Sequence, residues 1–210
     1  VPPELREDYA AFVCRLREAL NAEGKPVVAA LAPKTSAQQR GLLYEAHDYA
    51  LLSKAANAVF LMTYEWGYVY GEPQAIAPLP QVRAVLDYAL SVTAGENIFL
   101  GAPLSAYDWP LPYEKGRTRA ETFSSQAAVA RARLVGAEIE FDETARSPYY
   151  HYFDKMRREH VVWFEDARSL RAKIALAAEK GLQGIGFWQA GRELAQAWPL
   201  LDALVTLETL

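Results

Sequence analysis

The sequence predicts an α/β fold built on a parallel sheet. Short apolar runs alternate with stretches of helical periodicity along most of the chain. The runs are apolar throughout rather than alternating with polar residues, as in strands covered on both faces. The densest polar and aromatic segments follow the runs directly, where parallel α/β architectures place their crevice.

Residues 3–22 set Tyr9, Phe12, Val13, Leu16 and Leu20 near helical spacing, with Pro2 and Pro3 at the start, where a missing N–H is harmless. Gly24 and Pro26 end that helix, and 26–33 (PVVAALAP) reads as a buried strand. Asp48 caps a short helix through Asn57, and AVFLMTY (58–64) is a second strand. Residues 80–93 form a helix broken at Gly95, followed by a third strand at 97–104 (NIFLGAPL). A helix over 165–180 ends at Gly181, GIGFWQ (184–189) is the fourth strand, and a last helix occupies much of 192–208. Residues 105–164 interrupt the cycle. They read as a loop rich in Tyr, Trp and Pro (105–116), a helix (about 122–135), strand-like runs at 137–142 and 160–165, and a link, RSPYYHYFDKMRRE, that suggests an antiparallel excursion with a partly basic tip. No repeat or linker is evident, so one compact unit is expected. Four parallel strands fit either a small open sheet with two edges to manage or half of a (β/α)8 barrel, which usually needs ~250 residues; composition does not choose.

With 22 Lys+Arg against 26 Asp+Glu, the chain has a net charge of −4, which argues against a nucleic-acid binder that needs a basic face. No apolar run reaches the ~18–20 residues of a membrane span, and VPPELRED lacks signal-peptide anatomy. The single Cys14 excludes an internal disulfide or a multi-cysteine metal site, and His47, His151 and His160 are too scattered for a histidine-rich one. A first residue of Val rather than Met suggests a piece of something longer.

Twelve Tyr, eight Phe and five Trp cluster in a few segments, and Tyr and Trp beside polar groups can form sugar-stacking surfaces. In MTYEWGY, Tyr64 and Trp66 fit either rim packing or a hydrogen-bond donor beside a flat platform. Glu65 is a candidate general acid or base, since flanking apolar groups raise a carboxyl's pKa. Trp188 lies among Gly184, Gly186 and Gly191, which would leave its indole face open to a sugar unless the ring is core. Tyr107-Asp108-Trp109 is either a second aromatic-acid site or a turn with Asp108 capping and Trp109 as a plug. Lys34, Thr35 and Ser36 read as a strand-to-helix turn, and Lys155–Arg158 as a solvated tip. There is no phosphate loop, no G-x-S-x-G elbow, and no histidine near Cys14 in sequence.

The string AALAPKTSAQQRGLLYEAHDYALLSKAANAVFLMTYEWGY, followed in order by APLPQVRAVLDYAL, GAPLSAYDWPLPY, AEIEFDETARSPYYHYFD and GLQGIGFWQAGR, resembles glycoside hydrolase family 18, specifically its spore cortex-lytic, peptidoglycan-active branch, often attached to LysM modules. The likeness runs over nearly the whole chain. It implies a partial family-18 catalytic domain over 1–210, namely strands five to eight of a (β/α)8 barrel, with an α+β insertion after the seventh strand at about 105–164. It also implies hydrolysis of β-1,4 bonds at N-acetylglucosamine in peptidoglycan or chitin, with no cofactor and no metal. The mechanism is substrate-assisted: a Glu protonates the leaving oxygen while the substrate's acetamido oxygen attacks the anomeric carbon. By this resemblance Tyr64 stabilises the oxazolinium ion, Met62 lines the same wall, and Trp188 floors the site. Glu65, Trp66, Tyr107, Asp108 and Trp109 lie along the cleft.

One departure is large. The family's D-x-x-D-x-D-x-E, which carries the proton donor, is absent from these 210 residues. The expectation is therefore a chain that is inert alone, and either marginally folded or self-associated through exposed half-barrel edges, while its parent is an exported or spore-wall glycosidase. The alternative is a non-catalytic, lectin-like glycan-binding module.

Overall fold

The computed structural model describes residues 1–192 and 194–205. After a 3-10 turn at Pro3–Leu5, helix α1 (Arg6–Asn21) leads to β1 (Val28–Leu31), α2 (Tyr49–Ala55), β2 (Ala58–Leu61), α3 (Leu79–Leu90) and β3 (Ile98–Pro103). The Asp48 carboxylate accepts from Leu51 N at 3.0 Å and starts α2, as the sequence predicts for a capping aspartate. The chain then enters β4 (Ser105–Pro110), β5 (Glu121–Ser124), α4 (Ser125–Val135), β6 (Glu140–Asp142), β7 (Ser147–Phe153) and β8 (Glu159–Trp163). It returns through α5 (Ala167–Glu179), whose Asp166 and Ser169 form a reciprocal capping box, to β9 (Gly184–Trp188) and α6 (Ala197–Leu204). The helix expected over 192–208 is thus shorter; residues 193 and 206–208 lie outside the described residues.

Two sheets result. The first is parallel in the order β1-β2-β3-β9, and the second antiparallel in the order β5-β4-β8-β7-β6. In the parallel sheet Leu31, Val59, Leu61, Ile98 and Leu100 point to one face, against Val13 of α1, Leu52 of α2, Val85 and Leu86 of α3 and Leu176 of α5. The expectation of strands covered on both faces is corrected here. On the other face Val28 is 41% and Trp188 55% exposed, with Phe60, Phe99, Gly184 and Gly186 only half-buried between them. That face is apolar in composition, which is what misled the reading of burial: apolar residues mark a surface suited to covering, whether or not this chain covers it.

Gly101 sits on the uncovered face, and a Cβ there would lie 2.4 Å from the Leu61 carbonyl oxygen. Gly101→Ala should lower stability by about 1–3 kcal/mol. Gly186→Ala, whose added methyl meets the movable Phe60 ring at 2.6 Å, should cost less. Denaturation midpoints of the two variants test that order.

The stretch 105–116 is not a loop. Its first half is β4, the second strand of the antiparallel sheet, and 147–153 is a full strand rather than a link. Alternation along β4 sends Ala106 toward α4, where it packs with Ala128, Tyr150, Val162 and Phe164. Tyr107 and Trp109 go the other way and pack with Ile76, Ala120 and Val161. The basic stretch Lys155–Arg158 is the exposed tip of the β7–β8 hairpin, closed by Asp154, which accepts from Met156 N and Arg158 N.

Candidate functional site

The candidate site is built where β1 and β2 end. Beyond β2 the chain is pinned by Thr63, whose buried hydroxyl donates to the Gly101 carbonyl at 2.7 Å. Tyr64 follows, then Glu65 with φ of 67°, a left-handed conformation that costs a non-glycine residue roughly 1–2 kcal/mol. The following loop holds it there: Trp66 N donates to Ile76 O and Gly67 N to Ala75 O, both at 3.0 Å, and the Gln74 side chain donates to Trp66 O. Gly67 is obligatory, since a Cβ would lie 2.2 Å from the Gln74 carbonyl oxygen. Strain in a braced loop is characteristic of sites that must present a side chain at a fixed angle.

These residues line one side of an open cleft of about 500 Å3. Met62, Tyr64, Glu65 and Trp66 come from the end of β2; Leu43, Tyr44 and His47 face them from the segment between β1 and α2. That opposite side is fixed by backbone contacts: His47 Nδ1 accepts from Ala32 N at 2.8 Å, and the buried Tyr49 hydroxyl donates to Ala32 O and accepts from Lys34 N. Burial and the nearby positive charges of the N-terminus and Lys34 hold the His47 imidazole below its usual range, so it stays neutral and can accept. Leu43, Tyr44 and His47 were missed in the sequence, where nothing but the proximity of His47 to the Asp48 cap marked them.

Tyr107 reaches the same place from the antiparallel sheet, its hydroxyl donating to Glu65 Oε1 at 3.2 Å. Burial, with the Glu65 charge second, pushes the Tyr64 phenol up to about 12; the same causes in the same order bring Tyr107 to about 12. Both therefore remain O–H donors across the neutral range. Arg192, also missed, lies near enough to Tyr107 for its charge to act on the phenol, and it donates to Thr122 Oγ1 at 2.9 Å and Phe123 O at 2.6 Å.

Met62, Tyr64, Glu65, Trp66 and Tyr107 thus come together. Asp108 and Trp109 do not join them, and the reading that set them along the cleft is corrected. Asp108, only 2% exposed, points to the opposite face of β4, into contacts with Arg131, Tyr152 and His160. Trp109 is fully buried, its indole donating to Gly71 O at 2.8 Å, so it is the plug that the alternative reading allowed. Trp188 ends β9, two strands from β2, with its ring exposed and its carbonyl accepting from Leu104 N; the Trp188–Gln189 peptide is cis. Among the described residues no cluster of His, Cys, Asp and Glu suits a metal ion, and no helix is long and apolar enough to cross a membrane.

Comparison with known proteins gives this geometry a family. The model for "Glycosyl hydrolases family 18" matches residues 3–193. The cortical fragment-lytic enzyme of Bacillus subtilis (strain 168) is 46% identical over 200 residues, which is 95% of this chain and 46% of that protein. The crystal structure of the Bacillus cereus spore cortex-lytic enzyme SleL superposes with a TM-score of 0.93 at 41% identity, covering 98% of this chain and 47% of that one. A chitinase from Chromobacterium violaceum ATCC 12472, at 24% identity and a TM-score of 0.86 over 95% of this chain and 62% of its own, shares the fold. The chain spans about half the length of the curated relatives it matches. An α/β domain with a cleft at the carboxyl ends of its parallel strands, matched from Pro3 to Glu193 by the family model, belongs to glycosyl hydrolases family 18.

Proposed function

We propose that this chain forms one wall of a glycan-cleaving cleft in a parent protein that hydrolyses β-1,4 bonds at N-acetylglucosamine, with peptidoglycan of the spore cortex as the leading substrate and chitin as the other. The observation that carries this reading is the meeting of Tyr64, Glu65 and Tyr107 over a cleft at the strand ends. The relatives' names favour cortex over chitin. In the reaction the acetamido carbonyl oxygen bonds to the anomeric carbon as the bond to the leaving oxygen breaks, giving an oxazolinium ion that water opens. Tyr64, fixed as a donor, hydrogen-bonds the acetamido oxygen during that attack. Tyr107 orients Glu65 toward the sugar, Met62 and Trp66 supply apolar wall, and Trp188 gives a flat floor on the uncovered face of the sheet. A proton must also reach the leaving oxygen. The missing D-x-x-D-x-D-x-E segment would supply it, and general-acid catalysis is worth about 10²–10⁴-fold.

The same reading takes residues 1–210 as a partial catalytic domain whose four parallel strands are the fifth to eighth of a (β/α)8 barrel, with 105–164 as the insertion after the seventh. The uncovered face and the free edges of β1 and β9 support it. Alone, the chain would pair with a second copy through those edges.

Titration of the purified chain with N-acetylglucosamine oligomers and peptide-free cortex glycan should show binding without turnover, weakened by Tyr64→Phe. Hydrolysis of either would overturn the inert-chain reading, and no binding to either would overturn the glycan reading. A parent that binds both glycans and cleaves neither would favour the lectin-like alternative. Sedimentation of the chain as a monomer at micromolar concentration would refute the edge pairing.

A further inference from the structure

Arg192 closes the turn that follows β9. Its backbone N–H donates to Gln189 O at 2.9 Å; residues 188–191 are exposed, and Arg192 itself is half-buried. A Cβ added at Gly191 would meet nothing within 4 Å, so the turn borders open space. The side chain crosses from the parallel sheet to the antiparallel one, where Nη1 donates to Thr122 Oγ1 at 2.9 Å and to Phe123 O at 2.6 Å. Contacts continue from there to the cleft. Thr122 is paired with Tyr107 across β4 and β5, the Tyr107 hydroxyl donates to Glu65, and the charge of Arg192 acts on that phenol.

The chemistry lies in what these bonds leave over. A guanidinium carries five N–H donors in one plane, and two of them are on Nη1. Thr122 and Phe123 take up both, which leaves the Nε–Nη2 edge with a parallel pair of N–H groups. Such an edge matches the two oxygens of a carboxylate. The guanidiniums of Arg83, Arg131, Arg146, Arg158 and Arg168 each meet a carboxylate of the chain, and among the described residues Arg192 meets none. Its anchors are neutral oxygens, so they hold the plane without cancelling its charge, in a chain whose net charge is −4. A side chain fixed in advance has little freedom left to lose when an anion arrives.

We propose that the Nε–Nη2 edge of Arg192 binds a carboxylate of the glycan in the main cleft and makes the site prefer carboxylate-bearing strands to neutral ones. The inference rests on the glycan reading of that cleft for its occupant. Peptidoglycan carries carboxylates in two places, on the lactyl ether of its muramic acid units and on its stem peptides, whereas a polymer of N-acetylglucosamine has none. No proton changes hands, because a guanidinium stays charged throughout the neutral range. Arg192 thereby separates the two substrates that Tyr64, Glu65 and Tyr107 leave equivalent.

The experiment is calorimetric titration of the 210-residue chain with four probes. They are the N-acetylglucosamine tetramer, a peptide-free tetrasaccharide alternating N-acetylglucosamine with N-acetylmuramic acid, its methyl ester, and its peptide-bearing form. Each is repeated on Arg192→Met, Arg192→Lys and Tyr64→Phe. The expected result is binding of a carboxylate-bearing probe about 10-fold tighter than the neutral tetramer, with the gap narrowing as salt is added. Arg192→Met should abolish the gap, and Arg192→Lys should keep part of it, since an ammonium cannot meet both oxygens. A gap shown by the peptide-free probe and lost in its ester assigns the lactyl group, and a gap confined to the peptide-bearing probe assigns the stem peptide. Equal affinity for charged and neutral probes overturns the proposal. So does an equal loss for every probe in Arg192→Met, which is what a mere strap between the sheets would give. A gap that depends on Arg192 while Tyr64→Phe alters no affinity upholds the carboxylate site and overturns the reading of the main cleft. Failure of every probe to bind overturns both.

Discussion

Lys173→Met is expected to destabilise the chain by about 3–5 kcal/mol, read as the shift of a urea unfolding curve at neutral pH. Lys173 and Glu165 are both completely buried, with Nζ and Oε2 2.8 Å apart, and the second oxygen of Glu165 has no hydrogen-bond partner. Burial already pushes the Glu165 carboxyl above its usual range, opposed by the Lys173 ammonium. Without the ammonium the carboxyl rises further. A carboxyl raised in the folded state costs nothing below its unfolded pKa and costs progressively more as pH rises through the folded one. The deficit of Lys173→Met should therefore vanish toward the unfolded carboxyl pKa of about 4.3 and grow as pH is raised from there. Exchanging both partners for apolar residues, as in Glu165→Leu with Lys173→Met, should recover most of the loss, because desolvation of the pair consumes much of its attraction. A double variant as unstable as the single one would contradict this account.

Asp108→Ala should cost a comparable ~3–5 kcal/mol, but in the antiparallel sheet. The Asp108 carboxylate accepts from Tyr152 Oη at 2.6 Å, from Arg131 at 2.5 Å and from His160 Nδ1 at 2.7 Å; Arg131 also binds Glu121 at 2.8 Å. One side chain thus ties β4 to β7, β8 and α4, and Arg131 extends the link to β5. Removing it leaves a three-quarters-buried guanidinium with Glu121 alone and takes the acceptor from two other buried donors. Because Tyr107 is the next residue on β4, the loss should also loosen its bond to Glu65 and weaken glycan binding. Asp108→Asn, which keeps the shape and some of the bonds, should fall between the two. Equal stability of Asp108→Ala and the unaltered chain would remove this role.

Much of this was legible in the sequence. The four parallel strands announce themselves as continuous apolar runs, and the helices by periodicity and by Asp48. Tyr64, Glu65 and Trp66 are contiguous, so the strand end that carries them carries all three. The antiparallel strands hid for a physical reason. In β7 aromatic residues occupy both parities, Tyr149 beside Tyr150 and Tyr152 beside Phe153, so no alternation of polar and apolar shows; in β4 Tyr107 and Trp109 share one face, but Ala106 and Asp108 on the other are buried as well. Asp108 looked like a cleft residue because its partners lie 23 to 52 positions away, and charge pairing over such distances leaves no local pattern. The cleft residues between β1 and α2 were invisible for a related reason. They are held by backbone groups, and backbone groups are the same in every sequence.

The Phe60 ring has a consequence for how the parallel sheet assembles. It extends from β2 across the notch left by Gly101 and Gly186, so one side chain touches two further strands. Sliding β3 or β9 by a single residue would bring Leu100 or Ala102, and Ile185 or Phe187, beneath the ring, where there is space only for hydrogen. Alignment of three strands is thereby encoded in one aromatic and two glycines. β9, separated from β3 in the chain by the whole antiparallel sheet and α5, has a single position in which it can dock. The gap of more than 80 residues between Phe99 and its partner Gly184 makes that docking entropically slow, and the Phe60 template makes it unambiguous.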